Sequence, residues 1–378
     1  MRKEYLLTPG PTPLPPQISL AMARPIIHHR TPQFQAILKE ASVGLKWVFQ
    51  TANDVFIISS SGTGAMEAAI INLLSAGDTA LVVHGGKFGE RWSEIAKAYS
   101  IKVEIIDVEW GKAVSPEEIR KRLKANPEIK AVFTTLCETS TGVDNDLASI
   151  ASIVKETSAV LVVDAISGLG AVDIKTDVWG IDVVIAGSQK GLMLPPGLGF
   201  ISLSPKAWKL VEASKSPRYY LDLRKAKKAL DKNDTPFTSS ITLIIALNEA
   251  LKIMQSDGLE NILKRHKTMA NATRTAMKAL GLELFAPTAA SDGVTAVKVP
   301  AGLDGEKLVK TMRDTYGVTI AGGQDELKGK VFRIAHMGFI AESDIITGLA
   351  CLEKVLTQLG YKFNLGSGVK AAEEVFLL

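Results

Sequence analysis

The sequence predicts an α/β fold: a large domain with a mostly parallel sheet between helices, then a smaller C-terminal α+β domain. Three observations predict it. Short, continuously apolar runs alternate with helix-period segments from Val55 to Leu203, as strands buried on both faces require. That alternation stops near Pro236, where a long helical stretch, Ile241–Leu280, opens a region of different pattern. Two chemically loaded residues, Asp164 and Lys190, follow the ends of apolar runs, where open α/β sheets gather their ligands.

Taken in order, Pro9, Pro11, Pro13, Pro15 and Pro16 make the first residues an extended arm rather than a helix. Phe34, Ile37, Leu38, Ala41, Leu45 and Val48 give a helical period between Thr31 and Gln50. Strands are expected at Val55–Ser59, Ala80–His84, Val103–Val108, Ala131–Leu136, Ala159–Asp164, Val183–Ala186 and Leu198–Leu203. Helices are expected at Ala65–Leu74, Gly89–Tyr99, Pro116–Ala125 and Leu147–Glu156, with Ser115 as an N-cap and Glu118 completing its capping box. The Ile241–Leu280 stretch breaks near Asp257-Gly258. Strands Val294–Val299 and Val331–Ala335 follow, with helices near Leu303–Tyr316 and Glu342–Leu359. The expected division is an arm over 1–15, a large domain over 16–257 and a small domain over 258–378. Lys370–Leu378 reads as a short amphipathic helix that packs on the body or on a partner.

Composition narrows the function. The chain has 378 residues, 46% hydrophobic and 22% charged, which fits a globular protein with a sizeable core. A net charge of +4 without a long basic run argues against a nucleic-acid binder. Cys137 and Cys351 exclude a disulfide framework and a Cys-rich zinc site, and they fit a reducing cytosol. Prolines stand where a signal peptide needs an apolar run, and no apolar stretch reaches the roughly 18 residues of a membrane span, so a soluble cytoplasmic protein is expected. His28, His29, His84, His266 and His336 form neither HExxH nor a Cys/His spacing, so no metal site is expected.

Three segments carry chemistry. In Ser59–Ile70 a strand ends, Gly62 and Gly64 allow a tight turn and a helix opens. Helix-start N–H groups bind anions such as phosphate, with Ser61, Thr63, Gly64 and Ala65 as donors; the same pattern also serves as a plain turn. It is neither a P-loop nor GxGxxG. In Val160–Gly170, Asp164 ends a strand, where an acid either caps a helix or holds a protonated ring nitrogen. In Val183–Phe200, Lys190 sits in Gly187-Ser188-Gln189-Lys190 before a Pro/Gly loop, hence in a turn and not on a solvated helix face.

At this point the chain resembles fold-type I pyridoxal-phosphate enzymes, above all class V aminotransferases of the alanine/serine–glyoxylate (serine–pyruvate) branch. The resemblance covers nearly the whole chain. Its marks are Thr8-Pro9-Gly10-Pro11-Thr12, His29-Arg30, Ser61-Gly62-Thr63-Gly64 and Glu138-Thr139-Ser140-Thr141-Gly142. Val163-Asp164, Gly187-Ser188-Gln189-Lys190, Pro236-Phe237-Thr238 and the run Phe332–Gly338 complete them in order.

The resemblance implies pyridoxal 5'-phosphate as cofactor and a role for each matching residue. Lys190 would form the Schiff base and shuttle the proton, and Asp164 would keep the pyridine nitrogen protonated. Phe88, otherwise a core residue, would stack on the ring, and Thr139 would lie near its phenolic oxygen. Ser61, Gly62, Thr63, Gly64 and Gln189 would surround the phosphate. Thr238 would reach the phosphate of a neighbouring subunit, which implies a homodimer with shared sites. Thr235 departs from the Tyr that some relatives place there. Arg333, which could equally make a surface ion pair, would grip the substrate carboxylate, and the backbone at Gly10 would close over the substrate. His29 and His336 would be structural or lie behind the site, and Cys137 a small buried residue.

The implied activity is a ping-pong transfer of an amino group from alanine or serine to glyoxylate or pyruvate. Rival expectations are an aminotransferase for 2-aminoethylphosphonate, ureidoglycine or phosphoserine, or a non-catalytic subunit, as some hydrogenase-associated relatives have been labelled. A cysteine desulfurase would need a mobile loop cysteine, whereas Cys351 lies in a helical pattern. A nicotinamide enzyme would need GxGxxG.

Overall fold

Seven strands form one sheet. Their spatial order is Val55–Ile58, Gly199–Leu203, Val183–Gly187, Val160–Asp164, Ile129–Thr135, Thr79–His84 and Lys102–Asp107. The computed structural model describes residues 3–378. Gly199–Leu203 runs antiparallel to both its neighbours, and the remaining strand pairs are parallel. Every residue of Val160–Asp164, Val183–Gly187 and Gly199–Leu203 is buried, which is why these runs carry no polar alternation. Successive side chains of one strand serve opposite cores. Leu161 and Val163 pack with helices Pro32–Phe49 and Ile241–Asp257, while Val160 and Val162 pack with helices Gly62–Leu73 and Lys87–Ala98.

A second, three-stranded antiparallel sheet is formed by Val294–Lys298, Val331–Ala335 and Ala321–Gly322. Helices Leu259–Ala279, Gly305–Tyr316 and Glu342–Gln358 cover it around Met269, Leu308, Phe332 and Leu352. The proline-rich arm lies on this sheet. Tyr5–Leu6 pairs in parallel with Val318–Thr319, Leu7 is buried in the same core, and the Leu7 carbonyl accepts from Ala335 N–H at 2.9 Å.

Several expectations change on contact with the structure. The helix expected from Ala65 begins at Gly62, so the glycine-rich turn is itself the first helical turn. Ser115 makes no side-chain cap, and no capping box forms there. Glu118 instead pairs with Arg122 at 2.9 Å, because a charged pair one turn apart outcompetes the neutral cap. The short hairpin Cys137–Glu138 with Val143–Asp144 and the helices Pro205–Ala213 and Leu223–Leu230 are additions to the elements expected from the sequence.

The C-terminal residues form the helix Ser367–Phe376, which packs on the body against Leu259–Ala279. The buried Glu353 carboxylate accepts from Gly368 N–H at 2.9 Å and Val369 N–H at 3.1 Å, satisfying the start of that helix. Among the described residues, no helix is long and apolar enough to cross a membrane.

Candidate active site

The strand Val183–Gly187 delivers the chain to a buried loop. Ser188 fixes it: its hydroxyl donates to the Pro195 carbonyl at 2.7 Å and accepts from Leu198 N–H at 3.2 Å. Lys190 is thereby turned inward and is only 8% exposed. Its amine donates to the Pro9 carbonyl on the arm. Thr12 ties the arm down, donating from Oγ1 to the Lys190 carbonyl at 3.0 Å and from its N–H to the Gln189 carbonyl at 3.2 Å. Gly10 lies against the lysine with φ +122°, and a Cβ there would stand 2.5 Å from Lys190 Nζ. Burial lowers the Lys190 pKa to about 8; the charges of Arg333 and Arg91 add to this, and Asp164 opposes it.

Asp164 is the last residue of its strand and is buried. Oδ1 accepts from Ile166 N–H at 2.8 Å, closing a turn; no helix begins there, so it caps none. Burial raises its pKa to about 7, the Ile166 N–H works against that rise, and Glu138 reinforces it.

Ser61, Gly62, Thr63 and Gly64 form the start of helix Gly62–Leu73. The Ser61 side chain makes no capping bond, which leaves its hydroxyl available. A Cβ on Gly62 would meet Ile166 Cδ1 at 2.4 Å, so only glycine fits beside the Asp164 turn. One end of the Gln189 amide, Oε1, is buried without a hydrogen-bond partner, and such groups usually signal a missing ligand or water.

Phe88 is half-buried at the start of helix Lys87–Ala98. The buried Glu138 carboxylate positions that helix start, accepting from Gly89 N–H at 2.9 Å, Phe88 N–H at 3.3 Å and Ser140 Oγ at 2.6 Å. Burial raises the Glu138 pKa, against the pull of these donors. Thr139 Oγ1 shares a hydrogen bond with Ser167 Oγ. The Thr139 carbonyl accepts from Arg333 Nη1 at 2.8 Å, and the Gly322 carbonyl accepts from Arg333 Nη2 at 2.7 Å and Nε at 3.1 Å. Arg333 is therefore no surface ion-pair residue: it is buried and held by carbonyls alone. Burial lowers its pKa to about 10, so it stays charged at neutral pH.

Thr238 is exposed, in a loop held against Ser59, whose hydroxyl accepts from Ser240 N–H at 3.0 Å. Thr235 is spent on its own loop, donating to the Phe237 carbonyl at 2.8 Å. His336 is enclosed between Thr295 Oγ1 at 2.9 Å and the Asp292 carbonyl at 2.7 Å, and burial lowers its pKa to about 3. His29 is half-buried, its ring tilted against that of the exposed His28 at 4.6 Å between centroids. Cys137 is buried with its thiol pKa pushed well up, which makes it inert. Among the described residues, no group of three or more His, Cys, Asp or Glu is placed to hold a metal.

Lys190, Asp164, Arg333, Gln189, Thr139 and the helix start at Gly62 thus surround the carboxyl edge of the sheet. The family model described as "Aminotransferase class-V" matches residues 4–337. The chain belongs to the class V aminotransferases. Its similarity to a protein named soluble hydrogenase 42 kDa subunit, from Anabaena cylindrica, is 49% identity over 99% of each chain. An L-aspartate–glyoxylate aminotransferase of Paracoccus denitrificans is 38% identical over 98% of this chain and 95% of that one. A serine–glyoxylate aminotransferase of Methylorubrum extorquens is 37% identical over 98% and 95%. Among solved structures, the ureidoglycine–glyoxylate aminotransferase of Bacillus subtilis superposes with a TM-score of 0.96 at 29% identity, covering 100% of this chain and 99% of that one. The fold is that of the fold-type I aminotransferases.

Sequence reasoning missed some of this aminotransferase site. Glu138 stood in a quoted motif without a role, yet it fixes the helix that carries Phe88. Ser167 was not singled out, and Thr12 stood in the Thr8–Thr12 mark without a role, because a hydroxyl shows its partner only when the fold brings the two together. Arg91 was not singled out; its one sequence signal was its place one helical turn beyond Phe88.

Proposed function

We propose that the chain moves an amino group from a small amino acid, alanine or serine, to a 2-oxo acid, glyoxylate or pyruvate, by a ping-pong mechanism with pyridoxal 5'-phosphate bound at Lys190. The observation that carries this reading is the buried Lys190 amine, drawn toward neutrality near Asp164 and Arg333. Relatives named as serine–glyoxylate and L-aspartate–glyoxylate aminotransferases support the reaction type and the acceptor.

The residues present fit the cofactor. The open helix start and the uncommitted Ser61 hydroxyl suit a phosphate, and the buried Asp164 suits a cationic ring nitrogen. Bound there, the cofactor supplies an electron sink for the carbon that carries the amino group. Asp164 then holds the proton on the ring nitrogen; the cationic partner stabilises its carboxylate against the burial that otherwise raises its pKa. Lys190 Nζ would take the proton from the substrate α-carbon and hold it for the return transfer, a task suited to an amine with a pKa of about 8. Arg333, already oriented by Gly322 and Thr139, offers its remaining N–H groups to the substrate carboxylate. The arm from Pro9 to Thr12 covers the lysine and keeps water away. In this reading Thr238 acts across a homodimer interface, contributing to the partner's site.

The similarity to a hydrogenase subunit raises the non-catalytic alternative. A chain without catalysis has no need of a buried lysine, a buried acid and a buried arginine at the same sheet edge, since each costs folding energy. The test is pyruvate release from L-alanine with glyoxylate. Wild type should turn over and Lys190→Ala should not; full activity in Lys190→Ala would end the proposal.

A further inference from the structure

Arg91 lies on helix Lys87–Ala98, one turn beyond Phe88, and the site as described gives it no task. Its guanidinium sits 4.9 Å from the Phe88 ring centroid, and Nη1 approaches Thr63 Oγ1 at 3.4 Å. It is half-buried, and among the described residues it forms no ion pair. The acids nearby are already engaged. Lys87, on the same helix, takes Asp325 at 3.1 Å, Glu90 at 3.4 Å and Glu94 at 3.7 Å. A guanidinium left with only a hydroxyl and an aromatic face has an unmet preference for an oxyanion.

The corner it points to is short of positive charge. The donors offered by Ser61, Thr63 and the start of helix Gly62–Leu73 are all neutral, and a helix terminus is equivalent to only about half an elementary charge. A phosphate monoester carries close to two negative charges at neutral pH. We infer that Arg91 is a cationic binding residue for the phosphate of the cofactor, acting at the Thr63 corner of the pocket. This inference rests on the cofactor assignment made above. Its electrostatic reach into the site supports it, since the Arg91 charge lowers the pKa of both Asp164 and Lys190.

The experiment titrates the cofactor-free protein with pyridoxal 5'-phosphate and with pyridoxal, which lacks the phosphate, following tryptophan fluorescence. Arg91→Gln should weaken pyridoxal phosphate binding about ten- to a hundredfold and leave pyridoxal within about twofold. Arg91→Lys should recover part of the loss, and inorganic phosphate should compete less well against pyridoxal phosphate in Arg91→Gln than in wild type. Equal pyridoxal phosphate affinity in wild type and Arg91→Gln overturns the inference. So does an equal loss for both ligands, which would mark Arg91 as merely structural. If wild type binds neither ligand, the cofactor assignment falls as well; if wild type binds normally and only the Arg91 effect is missing, the assignment survives.

Discussion

Gly10 and Lys190 are in close apposition: a Cβ on Gly10 would lie 2.5 Å from Cδ, Cε and Nζ of the lysine. No rotation of the arm backbone relieves this, since the Pro9 carbonyl is bonded to the Lys190 amine and Thr12 is bonded to the Lys190 carbonyl. Gly10→Ala should therefore displace the amine. Because a 1 Å misplacement costs about a hundredfold in rate, kcat/KM should fall by about that factor. The thermal midpoint should fall as well, since an alanine at φ +122° is strained and its Cβ presses on a buried side chain.

Lys190 and Asp164 have unequal roles. Lys190→Ala should bring aminotransferase turnover to background. Asp164→Ala should retain the fold yet lower kcat by at least about a thousandfold, some 4 kcal/mol of transition-state stabilisation. Steady-state assays of both variants, with circular dichroism as the folding control, check the pair.

The pH dependence follows from the buried amine. Only neutral Lys190 is a nucleophile, so the rate at which cofactor-free protein captures pyridoxal phosphate should rise with pH and level off above about 8. Asp164 raises that pKa, so Asp164→Asn should move the midpoint downward; Arg333 lowers it, so Arg333→Gln should move it upward. The stability sign is also fixed. The folded pKa of about 8 lies below the ordinary 10.5, so the unfolded chain binds more protons between them. Cofactor-free protein should gain stability from this group as pH rises from about 8 to 10.5, and Lys190→Met should abolish that gain in urea titrations.

Arg333 is held by two carbonyls and no carboxylate, which leaves its charge for the substrate. Arg333→Lys loses the paired geometry while keeping the charge. The KM for the amino donor should rise about ten- to a hundredfold with a smaller change in kcat.

Glu353 is 2% exposed and carries the start of the C-terminal helix on its carboxylate. Glu353→Ala leaves buried N–H groups unpaired and should cost about 1–3 kcal/mol. Urea unfolding of this variant and of a chain truncated after 363 should show losses of the same sign.

The central strands and their burial were legible where the run is continuously apolar, as in Val160–Asp164 and Val183–Gly187; the edge strand Lys102–Asp107, with Lys102, Glu104 and Asp107, is less buried. Pro116–Ala125 was legible from Pro116 at its first position, although its cap was not, since Glu118 had a charged competitor in Arg122. Lys190, Asp164 and Arg333 were legible through motif order alone; nothing in the local sequence of Arg333 announces that Gly322 and Thr139 would hold it. Contacts across long separations, such as Thr139 with Ser167 or Arg91 with Thr63, depend on strand order, which periodicity does not specify.

The most direct measurement is the visible absorption spectrum of the purified protein supplied with pyridoxal phosphate, before and after L-serine or L-alanine and then glyoxylate. Wild type should show a yellow band that the amino acid bleaches and glyoxylate restores, and Lys190→Ala should form none. A wild-type protein that shows no band at any pH above 8 would contradict the cofactor assignment.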